Sequence, residues 1–217
     1  MDTIDPQPQD NTGGNEVVVN HPDAPASEFR PSFSLGELMG TWYAAVDLIE
    51  LSREGLFGAA YRHVVYSTLP FWKNKKDVTI TYDPVSDSGP EPRSIKGIDT
   101  LLDDPTATDA SPTRYKWRGS GLLKISTSKW QVLAFGRWSP PPSASSDQPA
   151  NEPHVYEYAV TYFQPTIFTP AGLDIYSRTA EGLPDELVGE IIDEIRQVGE
   201  SGTGAAVQKL AASVFEL

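Results

Sequence analysis

Residues 176–199, YSRTAEGLPDELVGEIIDEIRQVG, decide the reading of this chain. The run begins as the end of a strand, turns at Gly182-Leu183 and continues as one helix. Pro184 fits the first helical position, where a missing N–H costs nothing. Asp185 and Glu186 follow in the first turn, where negative charge meets the positive end of the helix dipole. Leu187, Val188, Ile191, Ile192, Ile195 and Val198 form one apolar stripe at helical spacing. Asp193, Glu194, Arg196 and Gln197 fall on the other side, and Gly199 is a natural stop. A helix with one greasy face must lie on something. The segments before it offer only strands.

The strands are read from alternation and from turn residues. Gly40-Thr41-Trp42-Tyr43 opens the first, after a short turn that Ser34 caps. Ala44-Ala45-Val46 continues it or leaves it, and Asp47–Ala60 has the spacing of a short helix or loop. Tyr61–Thr68 is rich in aromatic and β-branched residues, and Pro70 breaks it. Val78–Tyr82 alternates cleanly, so one of its faces is buried. Arg93–Thr100, Tyr115–Arg118, Leu122–Ser126, Trp130–Trp138, His154–Phe163 and Leu173–Arg178 complete the set. Successive strands with short turns form an antiparallel meander, and about eight of them remove exposed edges by closing on themselves. The fold expected is all-β: an eight-stranded antiparallel up-and-down barrel with one C-terminal amphipathic helix packed outside. Residues 1–32, Pro- and Asp-rich, are expected to be a disordered leader; residues 139–153, SPPPSASSDQPANEP, a flexible loop; residues 200–217 a tail with a weak helix.

Composition narrows the function. Thirty acidic residues stand against 17 basic ones, a formal net charge of -13. Nucleic acid and anionic membrane surfaces attract the opposite sign, so neither is an expected partner. The chain has no Cys, which excludes disulfides, thiol nucleophiles and zinc–thiolate or iron–sulfur sites. No apolar run is long enough to span a bilayer. The N-terminus, MDTIDPQPQD, has neither signal-peptide nor transit-peptide character, so the expected location is cytoplasmic. No metal-ligand spacing, Gly-rich phosphate loop or catalytic triad order is present, and neither metal nor cofactor is expected.

Two stretches carry a family resemblance. Gly40-Thr41-Trp42 stands at the head of the first strand, and Arg178 stands at the end of the last. The arrangement resembles the lipocalins, in which a Gly-x-Trp opens the barrel and an Arg packs across the Trp ring to close its base. The resemblance implies a structural floor of Gly40, Trp42 and Arg178, with cation–π contact worth roughly 0.5–2 kcal/mol. YEYAVTYF and the run through LDIYSRTAEGLPDELVGEIIDEIRQVG are similar to bacterial outer-membrane-type lipocalins and to small cytosolic lipocalin-like proteins of filamentous fungi. The likeness spans residues 33–199. The chain departs from the family in lacking both a lipoprotein Cys and the Cys pairs of secreted members. YRHVVYSTLPFWKNKKDVTITY resembles the direct continuation of a Gly-Thr-Trp, which makes residues 43–60 an insertion, either a lid over the barrel mouth or a gene-model artefact.

The candidate chemistry follows. His63 is either a general base in the cavity or a rim histidine. Tyr156, Tyr158 and Tyr162 share one strand face, and either line a ligand cavity or lie outside beneath the helix. Trp117, Trp130 and Trp138 are pocket or core; Tyr66, Trp72, Trp117 and Trp130 join the three tyrosines as candidate ligand contacts. Lys73-Asn74-Lys75-Lys76 is a solvated turn or a weak attractor for an anionic ligand group. The resemblance implies a monomer or weak dimer that binds a small hydrophobic molecule. The alternative is a cofactor-free isomerase or cyclase of a fungal natural-product pathway that folds a substrate in the same cavity.

Overall fold

The computed structural model describes residues 16–49, 61–67, 77–84, 95–103, 110–141, 154–166, 171–179, 181–199 and 201–213, with the backbone alone along 43–49, 61–67, 77–84, 95, 122–123 and 212–213. Among the described residues the chain is mostly β, with three α-helices and two short 3-10 helices. Strands β1 (Gly40–Ile49), β2 (Tyr61–Ser67), β3 (Asp77–Pro84) and β4 (Ile95–Leu101) are followed by β5 (Arg114–Gly119), β6 (Thr127–Trp138), β7 (Tyr156–Phe163) and β8 (Gly172–Ser177). Neighbours pair antiparallel in chain order, and β8 pairs back onto β1, giving a closed barrel. Helix α1 (Leu35–Leu38) precedes β1; α2 (Asp185–Gln197) and α3 (Thr203–Ser213) follow β8.

Helix α2 lies on the outer face of β6–β8. Its Leu187, Ile191, Ile192 and Ile195 are buried against Leu133, Tyr158, Val160, Leu173 and Ile175. Pro184 is the N-cap, one residue earlier than the spacing indicates, and Gly199 ends the run at φ 109. Helix α3 adds Val207, Leu210 and Ala211 to the same cluster, so the C-terminal tail is packed structure through that point. Its first amide, Thr203 N–H, donates to Asp23 at 3.0 Å, a cap supplied from the far end of the chain. The Thr203 hydroxyl first, and then this N–H, hold the Asp23 carboxyl below its ordinary range.

The structure corrects four expectations. Residues 16–32 are no loose leader. Val17 is buried under α2, Phe29 and Phe33 join the core inside the barrel, and a 3-10 turn forms at Ala26–Glu28. Asn20 explains why so polar a segment stays down. Its N–H and its side-chain amide both donate to Leu133 O, at 2.8 and 3.0 Å, and its Oδ1 accepts from Arg30 N–H at 2.8 Å. Leu133 is the extra residue of a bulge in β6, so its carbonyl needs a partner outside the ladder. Residues 1–15 lie outside the described set.

The second correction concerns residues 43–60. Residues 43–49 are the second half of β1 and pair with β8 from Tyr43↔Ser177 to Ile49↔Gly172. Neither an inserted lid nor a helix starting at Asp47 fits there, because the backbone groups of β8 need that partner. A register shift between Ala44 and Val46 absorbs the irregular apolar spacing. Residues 50–60 and the loop over 142–153 lie outside the described residues.

Third, Leu122–Ser126 is not a strand. Gly121 (φ 62) starts a 3-10 helix through Ile125, and Arg118 Nε closes it by donating to Lys124 O at 3.1 Å. Ile125 is 78% exposed, so its apolar side chain carried no signal of burial. Fourth, the strand expected over Trp130–Trp138 begins three residues earlier, at Thr127.

Between β4 and β5 the chain is pinned by Asp103. Its buried carboxylate accepts from Thr113 N–H (2.8 Å), Thr113 Oγ1 (3.0 Å), Arg114 N–H (2.7 Å) and Arg114 Nε (2.6 Å). Asp103→Ala leaves those donors without their acceptor, and is expected to cost about 2 kcal/mol in urea unfolding. A loss below about 0.5 kcal/mol shows that water replaces the carboxylate freely.

Candidate inner-face site

Residues directly opposite across a ladder share a face of the sheet. Leu101, Tyr115, Trp130 and Phe163 therefore form one row across β4–β7, and Asp99, Trp117 and Ser128 form the next. These rows belong to the second core cluster, with Trp42, Phe33, Val132, Ala159 and Tyr176, and face away from α2. This is the inside of the barrel.

The inner face is aromatic, but four polar groups sit together in its β4–β6 part, apart from Thr161, Asp174 and the Tyr176 hydroxyl on β7 and β8, where Tyr176 donates to Asp174. Trp130 Nε1–H donates to Asp99 Oδ1 at 2.7 Å. The Tyr115 ring stacks on Trp130, with centroids 4.4 Å apart and planes at 13°. The Trp117 indole lies flat over Gly97. A Cβ there would meet its Nε1 at 2.0 Å, so only glycine leaves room for it. Asp99 Oδ2, the Tyr115 hydroxyl and Trp117 Nε1 are buried, and none has a hydrogen-bond partner. An unpaired buried polar group costs roughly 1–3 kcal/mol, so three neighbours in one place call for an explanation.

Their ionisation follows from burial. Desolvation pushes the Asp99 carboxyl up to about 7, against the smaller downward pull of the Trp130 N–H. The Tyr115 hydroxyl is pushed well above its ordinary value by burial first, then by the charges of Asp99 and Asp103. Near pH 7 the Asp99 carboxyl is therefore divided between its acid and its carboxylate, being the acid below that pH, while the Tyr115 hydroxyl stays neutral; the acid and the neutral hydroxyl both donate hydrogen bonds.

Beside this site, Arg178 lies over Trp42, its guanidinium carbon 3.7 Å from the ring centroid. Its Nη1 donates to Thr41 O at 3.2 Å, its Nη2 to Glu37 O, and its Nε to Glu157 at 3.3 Å. Gly40 makes the approach possible. At φ 119 it has no Cβ, and one would sit 2.8 Å from Arg178 Nη1. Phe135 packs edge-on to Trp42 and stacks on Phe33 at 4.7 Å. This end of the barrel is filled.

The residues singled out in the sequence divide accordingly. Gly40, Trp42 and Arg178 meet at the filled end; Trp117 and Trp130 face inward. Tyr156, Tyr158 and Tyr162 belong to the outer cluster beneath the helices, which removes them as ligand contacts. Burial there and Glu190 on α2 push the Tyr158 hydroxyl up to about 12. Trp138 is in the same outer layer. Tyr66 pairs in the backbone ladder with Gly40 and Ile80, and His63 with Asp83; their side chains and Trp72 lie outside the described set. Asp99 and Tyr115 escaped notice in the sequence. Asp99 stands between Ile98 and Thr100, and the 41% exposed Ile98 reads as the inward residue of that strand. The recoverable signal was Tyr115-x-Trp117, whose period of two fixes an aromatic face that β4 must meet.

Among the described residues no three His, Asp or Glu are grouped to hold a metal, and no helix is long and apolar enough to cross a membrane.

An up-and-down antiparallel barrel, helices outside it, and an arginine laid over the tryptophan of its first strand define a lipocalin-like fold. No family model and no curated protein sequence matches the chain. Among solved structures it is similar to apocrustacyanin C2, at 14% identity and a TM-score of 0.45 over 85% of each chain. Apocrustacyanin C1 is similar at 13% identity and a TM-score of 0.45 over 87% of each. The siderocalin Ex-FABP is similar at 12% identity and a TM-score of 0.40, over 74% of this chain and 82% of that one. Likeness of this degree says nothing of what the chain binds.

Proposed function

We propose that this protein is a binding or carrier protein that holds one small, largely apolar molecule against the inner face of the barrel. The observation that carries the reading is the group of buried polar atoms without partners, Asp99 Oδ2, Tyr115 Oη and Trp117 Nε1, set among stacked aromatic rings. Ligand sites combine an apolar wall with a few placed polar groups, and this face has both. Trp117 and Trp130 are its ligand contacts. The test is titration with N-phenyl-1-naphthylamine, a neutral apolar fluorophore. Saturable binding of one molecule per chain, with quenching of tryptophan emission, is the expected result. Trp130→Leu, checked for folding by circular dichroism, is expected to weaken it at least about tenfold. A linear, unsaturable signal overturns the proposal.

A second reading rests on Asp99 alone. A carboxyl that titrates at about 7 is matched to proton transfer at neutral pH. On that reading the same inner face works as a cofactor-free isomerase, with Asp99 protonating a bound carbonyl oxygen while a water takes the proton from the carbon beside it and the reverse transfers return both. It requires that wild type, and not Asp99→Asn, exchange the hydrogens beside the carbonyl of a bound ketone for deuterium. Equal exchange by both leaves binding as the function.

A further inference from the structure

The four polar groups of the β4–β6 part of the inner face are not interchangeable. Trp130 Nε1 is a donor only, and it donates to Asp99 Oδ1. That bond marks Oδ1 as the accepting oxygen. The partner is a neutral indole rather than a cation, and Asp99 is 0% exposed, so burial favours the protonated acid, whose proton belongs on Oδ2, the oxygen that does not accept from Trp130. Trp117 Nε1 is likewise a donor only, and the Tyr115 hydroxyl has a hydrogen to give. All three atoms lacking partners are therefore donors. They are also neighbours. Asp99 and Trp117 are directly opposite in the β4–β5 ladder, and Tyr115 stacks on the indole that holds Asp99.

We infer that the inner face recognises a neutral ligand through a carbonyl-type acceptor oxygen, which takes hydrogen bonds from Asp99 Oδ2, Tyr115 Oη and Trp117 Nε1. The inference rests on the binding function proposed above and names its ligand class. A carboxylate or phosphate ligand is disfavoured, because the chain carries a net charge of -13 and Asp99 becomes a like charge once ionised. A ligand that offers only N–H or O–H groups meets donors with donors. A protonated carboxylic acid that serves as a hydrogen-bond donor beside a tyrosine is a known way to hold a carbonyl oxygen in an apolar site.

The test compares two neutral fluorophores on the full chain: a dimethylaminonaphthalene carrying a propionyl group, and the same naphthalene carrying a propyl group. The ketone is expected to bind at least about tenfold more tightly, with its emission red-shifted by hydrogen bonding. Tyr115→Phe keeps the ring stack and removes one donor. It is expected to cut that ratio by about threefold to tenfold, and Asp99→Leu to cut it similarly. Asp99→Asn is expected to preserve the ratio, since the amide accepts from Trp130 through Oδ1 and donates through Nδ2. Equal binding of the two fluorophores overturns the inference while leaving the binding function intact. Loss of the ratio in Asp99→Asn as well shows that a donor at this position does not hold the carbonyl oxygen, and overturns it too. Binding of neither compound removes the binding function and this inference together.

Discussion

Asp99→Asn is expected to stabilise the protein at alkaline pH by about 4 kcal/mol and to leave its stability nearly unchanged in acid. The carboxyl titrates at about 7 in the folded chain against a model value of 3.8. Below the lower value both states hold the proton, and the group contributes nothing to the balance. Between the two values the unfolded chain releases its proton while the folded chain keeps it. The unfolded state then binds fewer protons, so stability falls as pH rises. Above about 7 both states are ionised and the penalty is constant. About three units at 1.36 kcal/mol each give the stated magnitude. Asparagine removes the titration and keeps the acceptor for Trp130 Nε1. The measurement is urea unfolding of both proteins across this range, with the difference between them plotted against pH. A difference that does not change with pH defeats the argument.

A side chain that lowers stability at neutral pH calls for a compensating use. Most sites that store such a cost are functional, because the same residue replaced by a neutral one gives a more stable fold. Asp99 fits that pattern more closely than Asp103, another buried carboxylate four residues away. Asp103 accepts four hydrogen bonds from protein donors, so its charge is structural. Asp99 has one donor, on one oxygen, and its other oxygen is buried without a hydrogen-bond partner. The contrast separates a carboxylate that holds a loop from a carboxyl that is kept for a ligand.

The two carboxylates also mark how far the sequence could be read. Helix α2 was legible because its stripe repeats for several turns and is bounded by Pro184 and Gly199. The mostly antiparallel β character was legible from Val78–Tyr82 and from HVYEYAVTYF. Local pattern fails where a long-range partner decides. Asn20 is unremarkable in sequence, but it binds the β6 bulge and orders a polar segment. Asp47–Ala60 has the spacing of a short helix or loop, but β8 draws Asp47, Leu48 and Ile49 into the ladder. Alternation in β7 grouped Tyr156, Tyr158 and Tyr162 correctly and left open which side they take. Only the position of α2 decides that. Asp99 lay beyond the pattern because its strand, IKGIDTL, spaces its isoleucines and leucine by three. That spacing gives no consistent face at a period of two.

Trp42→Ala is expected to destabilise the protein by about 3–5 kcal/mol. Trp42 is 1% exposed, and three things depend on it: the Arg178 guanidinium on its face, Phe135 at its edge, and Leu38 O, which accepts from its Nε1 at 2.8 Å. The last of these ties the pair to α1. That helix has only four residues, far below the length at which a helix persists alone. Its capping box, Ser34 with Glu37, satisfies its N-terminus. Its last carbonyls, Glu37 O and Leu38 O, are satisfied by Arg178 and Trp42. The two side chains therefore hold α1 to the barrel as well as filling its end. It follows that the two sites couple. The double variant Trp42→Ala with Arg178→Ala is expected to lose at least about 1 kcal/mol less than the two single losses added together. Arg178→Lys is expected to recover little, because an ammonium cannot reach Thr41 O, Glu37 O and Glu157 with one planar fork. Hydrogen exchange supplies the local readout: the Met39 amide, which donates to Leu35 O, should lose its protection in Trp42→Ala before the amides of β6 and β7 do. If Met39 keeps its protection until the whole barrel opens, α1 is held by something other than this pair.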